Sequence, residues 1–554
     1  MNFLIVVPRF SKPGEFYSFP FGLAYISSHL KRAGFSVRCL NLSHYNENLS
    51  TKEILKKEIA DNNIGVVMSG GMTGHWQLVN DVFRTVKKIK AEITTVAGGP
   101  IITADPELAI NHLNIDFGVI GEGEITAAEL ARSLNKKTDH SAIKGIVYKK
   151  GGRIIKTPER PAIKSLDELT FPDYESLGYD EWIKLMQYSG QSPVLENYDN
   201  VRYSPIIGSR SCPFSCTFCY HPLGKIYRQR SLDNIFKEID YLINTYQTNY
   251  LSFSDELFSA DLKRLYEFAD RIKPYSIKWD AQFRVNNITK EMLLKLKESN
   301  LSYMAFGVES MSDPILTSMK KMTTKTEIEN AFRLAREVGV LCSGNIILGD
   351  PEETIDTANE SIEWWKSHRY YNVSLGFIKA VPDSPDYRYA LKRGLIKDKL
   401  EHIRDNFPAI NMSRIPDEKF NKIMEEVGSY RNNLKYILDG KLIESKKLEE
   451  KYNNANFYVL QIECPACGHA DNYKKFMKSL GKYTTVFCKK CYAQLKVGQS
   501  KAFYDDYSFI KMKLNPYVRR FYGFLLKKNL IRRDSQLIIP VKKFAQKIFK
   551  RASI

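Results

Sequence analysis

The sequence predicts an α/β protein in two strand–helix blocks: an open Rossmann-like sheet, then a partial (β/α)6 barrel. A helical segment, a small cysteine-rich module and a basic tail follow. Three observations predict it. Apolar strand-like runs alternate with amphipathic helical runs over residues 1–140, and again over 201–395. Glycines gather where strands of the first block end, at Gly70-Gly71, Gly98-Gly99 and Gly121/Gly123. Seven of the nine cysteines fall in two tight groups, at 212–219 and 464–491. At roughly 100–200 residues per domain, a chain of 554 residues holds three or four domains.

In the first block the strands are FLIVVP, SVRCLNL, GVVMSG, TTVAGGP and FGVIGEGE. The helices are GLAYISSHLKRAG, TKEILKKEIADN, LVNDVFRTVKKIK and a short run from Asp105 to Leu113. Such a sheet is parallel, with helices on both faces, and binds ligands beyond the carboxyl ends of its strands. Glycine at those ends lets backbone approach a bulky ligand closely. Residues 141–200 read as a connector. In the second block SPIIGSR, YLSFSDE, IKWDAQF, YMAFGVE, SGNIILG and VSLGFIKAV are the six strands, separated by helical runs such as LDNIFKEIDYLINTY. Six units make an open barrel, smaller than the closed eightfold kind. Residues 396–456 read as helical and charged, 457–498 as the cysteine-rich module and 499–554 as the tail.

The cysteine groups differ in chemistry. Cys212, Cys216 and Cys219 have the spacing C-x3-C-x2-C directly after a strand. Thiolates are soft ligands suited to iron–sulfur clusters, and three of them leave one iron of a cubane open. A zinc site completed by His221 is the alternative, but His221 lies too close to Cys219 for an unstrained tetrahedron. Cys464, Cys467, Cys488 and Cys491 form two C-x2-C knuckles twenty residues apart, the spacing of a zinc ribbon, with an auxiliary iron–sulfur cluster as the rival. Cys39 and Cys342 stand alone in apolar runs and read as core.

The formal charge is +19, and residues 501–554 carry 14 Lys and Arg against 3 acidic residues. Val541, Phe544, Ile548 and Phe549 share a helical face opposite lysines, the pattern of a basic helix on an anionic membrane. Interleaved arginines and tyrosines make nucleic acid the lesser alternative, and a solvated, partly disordered end stands equal to the membrane helix. No apolar run approaches the ~18–20 residues that span a bilayer. MNFLIVVPRF reads as a first strand rather than a signal peptide, so a cytoplasmic location is expected, with peripheral contact at the inner membrane surface.

The loop from Gly208 to Tyr220, with Phe218 before the third cysteine, resembles the radical S-adenosylmethionine superfamily, and the resemblance extends through residues 201–390. It implies a 4Fe–4S cluster on Cys212, Cys216 and Cys219 that cleaves S-adenosylmethionine to a 5′-deoxyadenosyl radical. It further implies cofactor contacts from Phe218, Tyr220, Asp255, Glu256, Arg284 and Glu309, and from Gly344 and Asn345 in a fifth-strand motif behind the adenine. A rim ion pair of Arg284 with Glu309 is the structural alternative. Asp383-Ser384 departs from the family's usual turn.

FGLAYISSHLKRAG, VAGGPIITADPE and DFGVIGEGE resemble the cobalamin-binding domain that precedes many such barrels. This implies cobalamin against Gly70, Gly71, Gly98, Gly99, Gly121, Glu122 and Gly123. The Asp-x-His-x-x-Gly motif of cobalt-ligating domains is missing, and His75 reads as a cap or packing residue, so no histidine ligand is expected. Methylthiotransferases carry three cluster cysteines ahead of the barrel, whereas the first 200 residues here hold only Cys39. The resulting expectation is a cobalamin-dependent C-methyltransferase acting on a small-molecule or lipid substrate, reduced by a flavodoxin or ferredoxin. Radical cyclisation or rearrangement on the same architecture is one alternative. A nucleic-acid-binding protein with a degenerate barrel is another, and the intact three-cysteine loop argues against it.

Overall fold

The computed structural model describes residues 1–11, 16–45, 49–187, 201–428, 433, 436–452, 455–477 and 483–498. The basic tail and its expected membrane face lie outside the described residues. The chain divides into two compact units: Met1–Val194 with Asn200–Lys435, and Leu195–Asp199 with Tyr436–Ile554.

The first unit opens with the sheet expected from the first block. Its strands β1 (Asn2–Val7), β2 (Ser36–Asn41), β3 (Ile64–Gly70), β4 (Thr94–Gly98) and β5 (Phe117–Val119) are parallel, in the order β2-β1-β3-β4-β5. Between them run α1 (Phe21–Arg32), α2 (Thr51–Asp61), α3 (Trp76–Ile89), α4 (Pro100–Thr103), α5 (Pro106–His112) and α6 (Gly123–Lys136). Strand alternation sorts the core. Leu4, Val6 and Val67 pack with Leu55, Phe83 and Ile110 on one face, while Phe3, Ile5 and Val66 pack with Leu30 and Leu130 on the other. Local chemistry fixes the helix starts. Ser50 and Glu53 form a capping box on α2, and Asp105 caps α5 with Pro106 as its first residue.

The sheet continues into the stretch read as a connector. β6 (Ile146–Lys150) and β7 (Arg153–Lys156) add antiparallel strands beyond β5, so the connector expected to begin at 141 is partly sheet. Gly151 and Gly152, at φ +58° and +76°, make the two-residue turn between them.

The six expected barrel strands are all present and all parallel. β8 (Tyr203–Ile206), β11 (Tyr250–Phe253), β12 (Lys278–Phe283), β13 (Leu301–Glu309), β14 (Leu341–Leu348) and β15 (Asn372–Phe377) run in chain order across the sheet. A small hairpin of β9 (Ser209–Arg210) and β10 (Arg228–Gln229) follows β8 and brackets residues 211–227.

The second unit holds a short sheet of β16 (Leu438–Asp439), β20 (Tyr483–Phe487) and β21 (Gln494–Gly498). Beside it in sequence is an antiparallel sheet of β17 (Lys441–Tyr452), β18 (Ala455–Glu463) and β19 (Ala470–Met477). The helical reading of 396–456 is therefore corrected. Lys399–Arg404, Asp417–Val427 and Asn433 are helical, but KLIESKKLEEKY is a strand. Its lysines and glutamates favour helix locally, but pairing Leu442 against Ile462 and Ser445 against Leu460 overrides propensity. Among the described residues no helix is long and apolar enough to cross a membrane.

Candidate active site

The cysteine loop leaves the hairpin at Ser211, whose φ of +68° turns the chain sharply into Cys212. Cys216 is buried, and Cys212 and Cys219 are half-buried. Backbone contacts hold the loop against the barrel: Thr217 N–H donates to Met319 carbonyl at 3.1 Å, and Asp386 N–H donates to Thr217 carbonyl at 3.0 Å. Burial, then the Glu256 carboxylate and the neighbouring sulfurs, push the Cys219 thiol up to about 12; burial also raises Cys212. Thiols so placed need a cation to become thiolates.

Cys464, Cys467, Cys488 and Cys491 form the one group of three or more possible metal ligands among the described residues whose ligand atoms all lie within 4.8 Å of one another. Their sulfurs pair at 3.6 Å, Cys464 with Cys491 and Cys467 with Cys488. Four thiolates at ~2.3 Å from one tetrahedral zinc lie roughly 3.8 Å apart, so this group fits a single ion. Cys212, Cys216 and Cys219 do not share that spacing, which fits a donor set spread over several irons better than one ion.

The expected cofactor contacts separate into two kinds. Asp255 is buried; its carboxylate accepts from Gly208 N–H at 2.7 Å and Ser209 Oγ at 2.6 Å, and so braces the turn ahead of the cysteine loop. Burial pushes it up to about 6 against those hydrogen bonds. Glu256 is freer, with a side chain 31 % exposed and His221 Nδ1 at 2.9 Å. Arg284 and Glu309 do not pair with each other. Arg284 stacks on Phe214 at 3.7 Å and donates to the Lys321 carbonyl. Glu309, at φ +67° where the register of β13 and β14 shifts, receives Lys321 Nζ at 2.8 Å. Both charges of that pair are almost fully buried. A Cβ on Gly307 would stand 2.3 Å from the Lys321 ammonium, so a side chain there would have to push that ammonium aside. Phe218 packs on the barrel core and lies 5.9 Å from the same ammonium. Tyr220 is partly buried, and its hydroxyl has no partner among the described residues. Asn345 is exposed and accepts from Ser374 Oγ. Gly344 points the opposite way, where a Cβ would meet Val308 and Phe332, because strand side chains alternate.

At the carboxyl ends of β3, β4 and β5 lies a cavity of about 610 Å³. Gly70, Gly71, Gly98, Gly99, Gly121, Glu122 and Gly123 all line it. A Cβ on Gly70 would lie 2.3 Å from the Gly98 carbonyl oxygen, and Gly99 and Gly121 sit at φ +89° and +73°. The bareness of this cradle is therefore built in. Phe10, Phe19 and Tyr25 add aromatic wall, and Ser209, Arg210, Ser211 and Glu256 of the barrel close it. His75 also lines it, but its Nδ1 accepts Met72 N–H at 3.3 Å and its ring packs, tilted by 39°, 4.5 Å from that of Phe10, the capping and packing role expected.

Sequence reasoning missed Lys321 and Arg210. Arg210 is buried and donates to Glu122 at 2.7 Å and to Glu124. Burial opposes ionisation of Glu124, but the Arg210 guanidinium outweighs it and holds that carboxyl below its usual range. An arginine two residues before the first cysteine was the available signal.

Comparison with known proteins agrees with this geometry. The Radical SAM superfamily profile matches residues 206–364, and the B12 binding domain profile matches residues 14–131. An uncharacterized methyltransferase of Pyrococcus horikoshii is 29% identical over 384 residues, covering 68% of this chain and 79% of that protein. The anaerobic magnesium-protoporphyrin IX monomethyl ester cyclase of Rubrivivax gelatinosus is 25% identical over 62% of this chain and 61% of its own length. Among solved structures, the radical S-adenosylmethionine methyltransferase TsrM from Kitasatospora setae shares the fold with a TM-score of 0.58 at 16% identity, over 71% of this chain and 77% of that one. The cobalamin-dependent S-adenosylmethionine radical enzyme OxsB aligns with a TM-score of 0.55 at 14% identity, over 99% of this chain and 71% of that one.

Proposed function

We propose, from the premise that the chain belongs to the radical S-adenosylmethionine superfamily and carries a B12-binding domain ahead of its barrel, that it transfers a methyl group to an unactivated carbon of a small-molecule or lipid substrate. The observation that carries this reading is the shared wall of the cavity. The glycine ends of β3, β4 and β5 face the residues that lead into the cysteine loop, so the two cofactor sites adjoin. When bound, a 4Fe–4S cluster supplies an electron for S-adenosylmethionine cleavage and cobalamin supplies a transferable methyl group.

The chain's own residues then have assignable work. Cys212, Cys216 and Cys219 would hold the cluster. Glu256 and the Glu309–Lys321 pair offer opposite charges to the amino and carboxylate groups of S-adenosylmethionine. The bare glycine cradle would admit the corrin, and the aromatic wall would exclude water from the reacting carbon. His75 holds its proton on Nε2 while Nδ1 accepts from Met72, so it offers cobalt no lone pair in this arrangement. Cys464, Cys467, Cys488 and Cys491 would bind structural zinc. A flavodoxin or ferredoxin would supply the electron.

Anaerobic purification with cobalamin supplied, followed by iron, cobalt and zinc analysis and assay of deoxyadenosine, tests the reading. Iron and cobalt are both expected in stoichiometric amounts, and Cys216→Ala is expected to lose iron and deoxyadenosine together. Iron without cobalt would defeat methyl transfer from cobalamin while leaving the radical chemistry. The cyclase relative favours a second reading, radical cyclisation, which deoxyadenosine formation with no methyl incorporation would select.

A further inference from the structure

One carboxylate of the N-terminal domain holds both ends of the cysteine loop. Glu122 leaves β5 in the glycine-rich turn that lines the cavity. Its Oε1 accepts Arg210 Nη1 at 2.7 Å, and its Oε2 accepts Arg228 Nη1 at 2.7 Å. Arg210 is the last residue of β9 and Arg228 the first of β10, paired across the hairpin whose intervening residues carry the three cysteines. The arrangement is sealed. Glu122, Arg210 and Arg228 are each less than a tenth exposed. Glu122 Oε2 also accepts Ile163 N–H at 2.7 Å, and Arg228 Nη1 also donates to the Ile163 carbonyl at 2.8 Å. Arg210 is further held by Glu124, and its guanidinium lies 5.2 Å from the Tyr25 ring.

Asp255 and the Arg230 N–H, which donates to the Gly208 carbonyl at 3.0 Å, brace the stem from the barrel side, and Glu122 ties both of its ends to the cavity turn. β9 and β10 are two residues each, too short to hold a hairpin unaided. Charge-assisted, buried hydrogen bonds to one acceptor therefore set the distance between the loop's ends. The same acceptor sits between Gly121 and Gly123, so anything that moves that turn moves the loop.

We infer that Glu122 is a positioning residue that staples the two ends of the cysteine loop to the cavity turn, and so couples occupancy of the cavity to order at the cluster site. The sequence reading places Glu122 against the cofactor; it lines the cavity, and both of its carboxylate oxygens are engaged by the arginines. The coupling rests on the proposed cobalamin reading, whereas the staple rests on geometry alone. Coupling of this kind is reciprocal: assembling the cluster site tightens cobalamin binding by the factor by which cobalamin stabilises the cluster site.

The experiment uses the full chain, purified anaerobically and reconstituted with iron and sulfide, in wild type, Glu122→Gln and, as a control in the helix that follows, Glu129→Gln, whose carboxylate pairs with Arg160 instead. The first measurement is the rate of iron loss to a chelator without cobalamin. Glu122→Gln is expected to lose iron at least about fivefold faster than wild type, and Glu129→Gln at the wild-type rate. The second is hydroxocobalamin affinity by absorbance, with and without the cluster. Wild type is expected to bind at least about fivefold tighter with the cluster present, the low end of ordinary coupling factors, and Glu122→Gln to lose that difference. Equal iron release in wild type and Glu122→Gln would overturn the staple. A wild type that binds hydroxocobalamin equally with and without cluster would overturn the coupling. A wild type that binds none would overturn the cobalamin reading and the coupling with it, leaving the iron-release result to decide the staple. If Glu122→Gln fails to fold, Arg228→Gln frees one end only and is expected to speed iron release in the same direction; no change there would overturn the staple.

Discussion

Replacing Lys321 by methionine tests the charge arrangement at the barrel mouth. The Lys321 ammonium lies 2.8 Å from Glu309 Oε1, with the two side chains 8% and 11% exposed. Lys321→Met keeps the stem volume and removes the cation, so the Glu309 carboxylate is left buried without its partner. Removing one member of a buried ion pair costs about 3–5 kcal/mol, whereas replacing both members is close to neutral. We therefore expect Lys321→Met to unfold about 3–5 kcal/mol more easily at pH 7.5, and Glu309→Gln/Lys321→Met to recover most of that loss. All five tryptophans lie in the first unit, so urea unfolding followed by their fluorescence reports that unit alone. A Lys321→Met protein as stable as wild type at pH 7.5, or a double variant no better than the single, would refute the reasoning.

Three further outcomes are expected. Gly70→Ala should weaken hydroxocobalamin binding at least about tenfold, because the new Cβ meets the Gly98 carbonyl at 2.3 Å. Gly98→Ala, whose Cβ meets only Val119 at 3.8 Å, should do much less, and titration by absorbance compares them. Cys467→Ser should lower zinc content and raise protease sensitivity in the second unit while leaving iron at the wild-type level; parallel loss of both metals would show that the sites are not independent. Glu353 is fully buried, and burial pushes its carboxyl up to about 8. A raised acid contributes stability that is present below its unfolded value of ~4.3 and is lost as pH rises from there to the folded value, so Glu353→Gln should match wild type near pH ~4 and exceed it by roughly 3–5 kcal/mol at pH 9 in urea unfolding.

The parts of this fold that were legible in the sequence are those dictated by short-range pattern. All five parallel strands of the first sheet and all six of the barrel appear where alternation placed them. The clearest failure besides the two strands hidden in the connector, residues 441–452, is a charged segment whose helical bias lost to a partner strand. The candidate site divides the same way. The cysteine spacing and the glycine ends needed only a few consecutive residues to be recognised. The engagement of Asp255 with Gly208 and Ser209, the turning of Gly344 toward Val308 and Phe332 and the partners of Glu122 did not follow from any local motif.

By itself, then, the sequence determined two parallel sheets, a three-thiol loop after the first barrel strand and a row of bare glycines at strand ends. Backbone conformation and side-chain periodicity are written within a few residues of one another. Only the tertiary structure decided which acid meets which base. Glu122 and Arg228 are 106 residues apart, yet share a buried hydrogen bond. A buried charge takes its partner from whatever the packed chain brings within about 3 Å, and sequence separation carries no information about that distance.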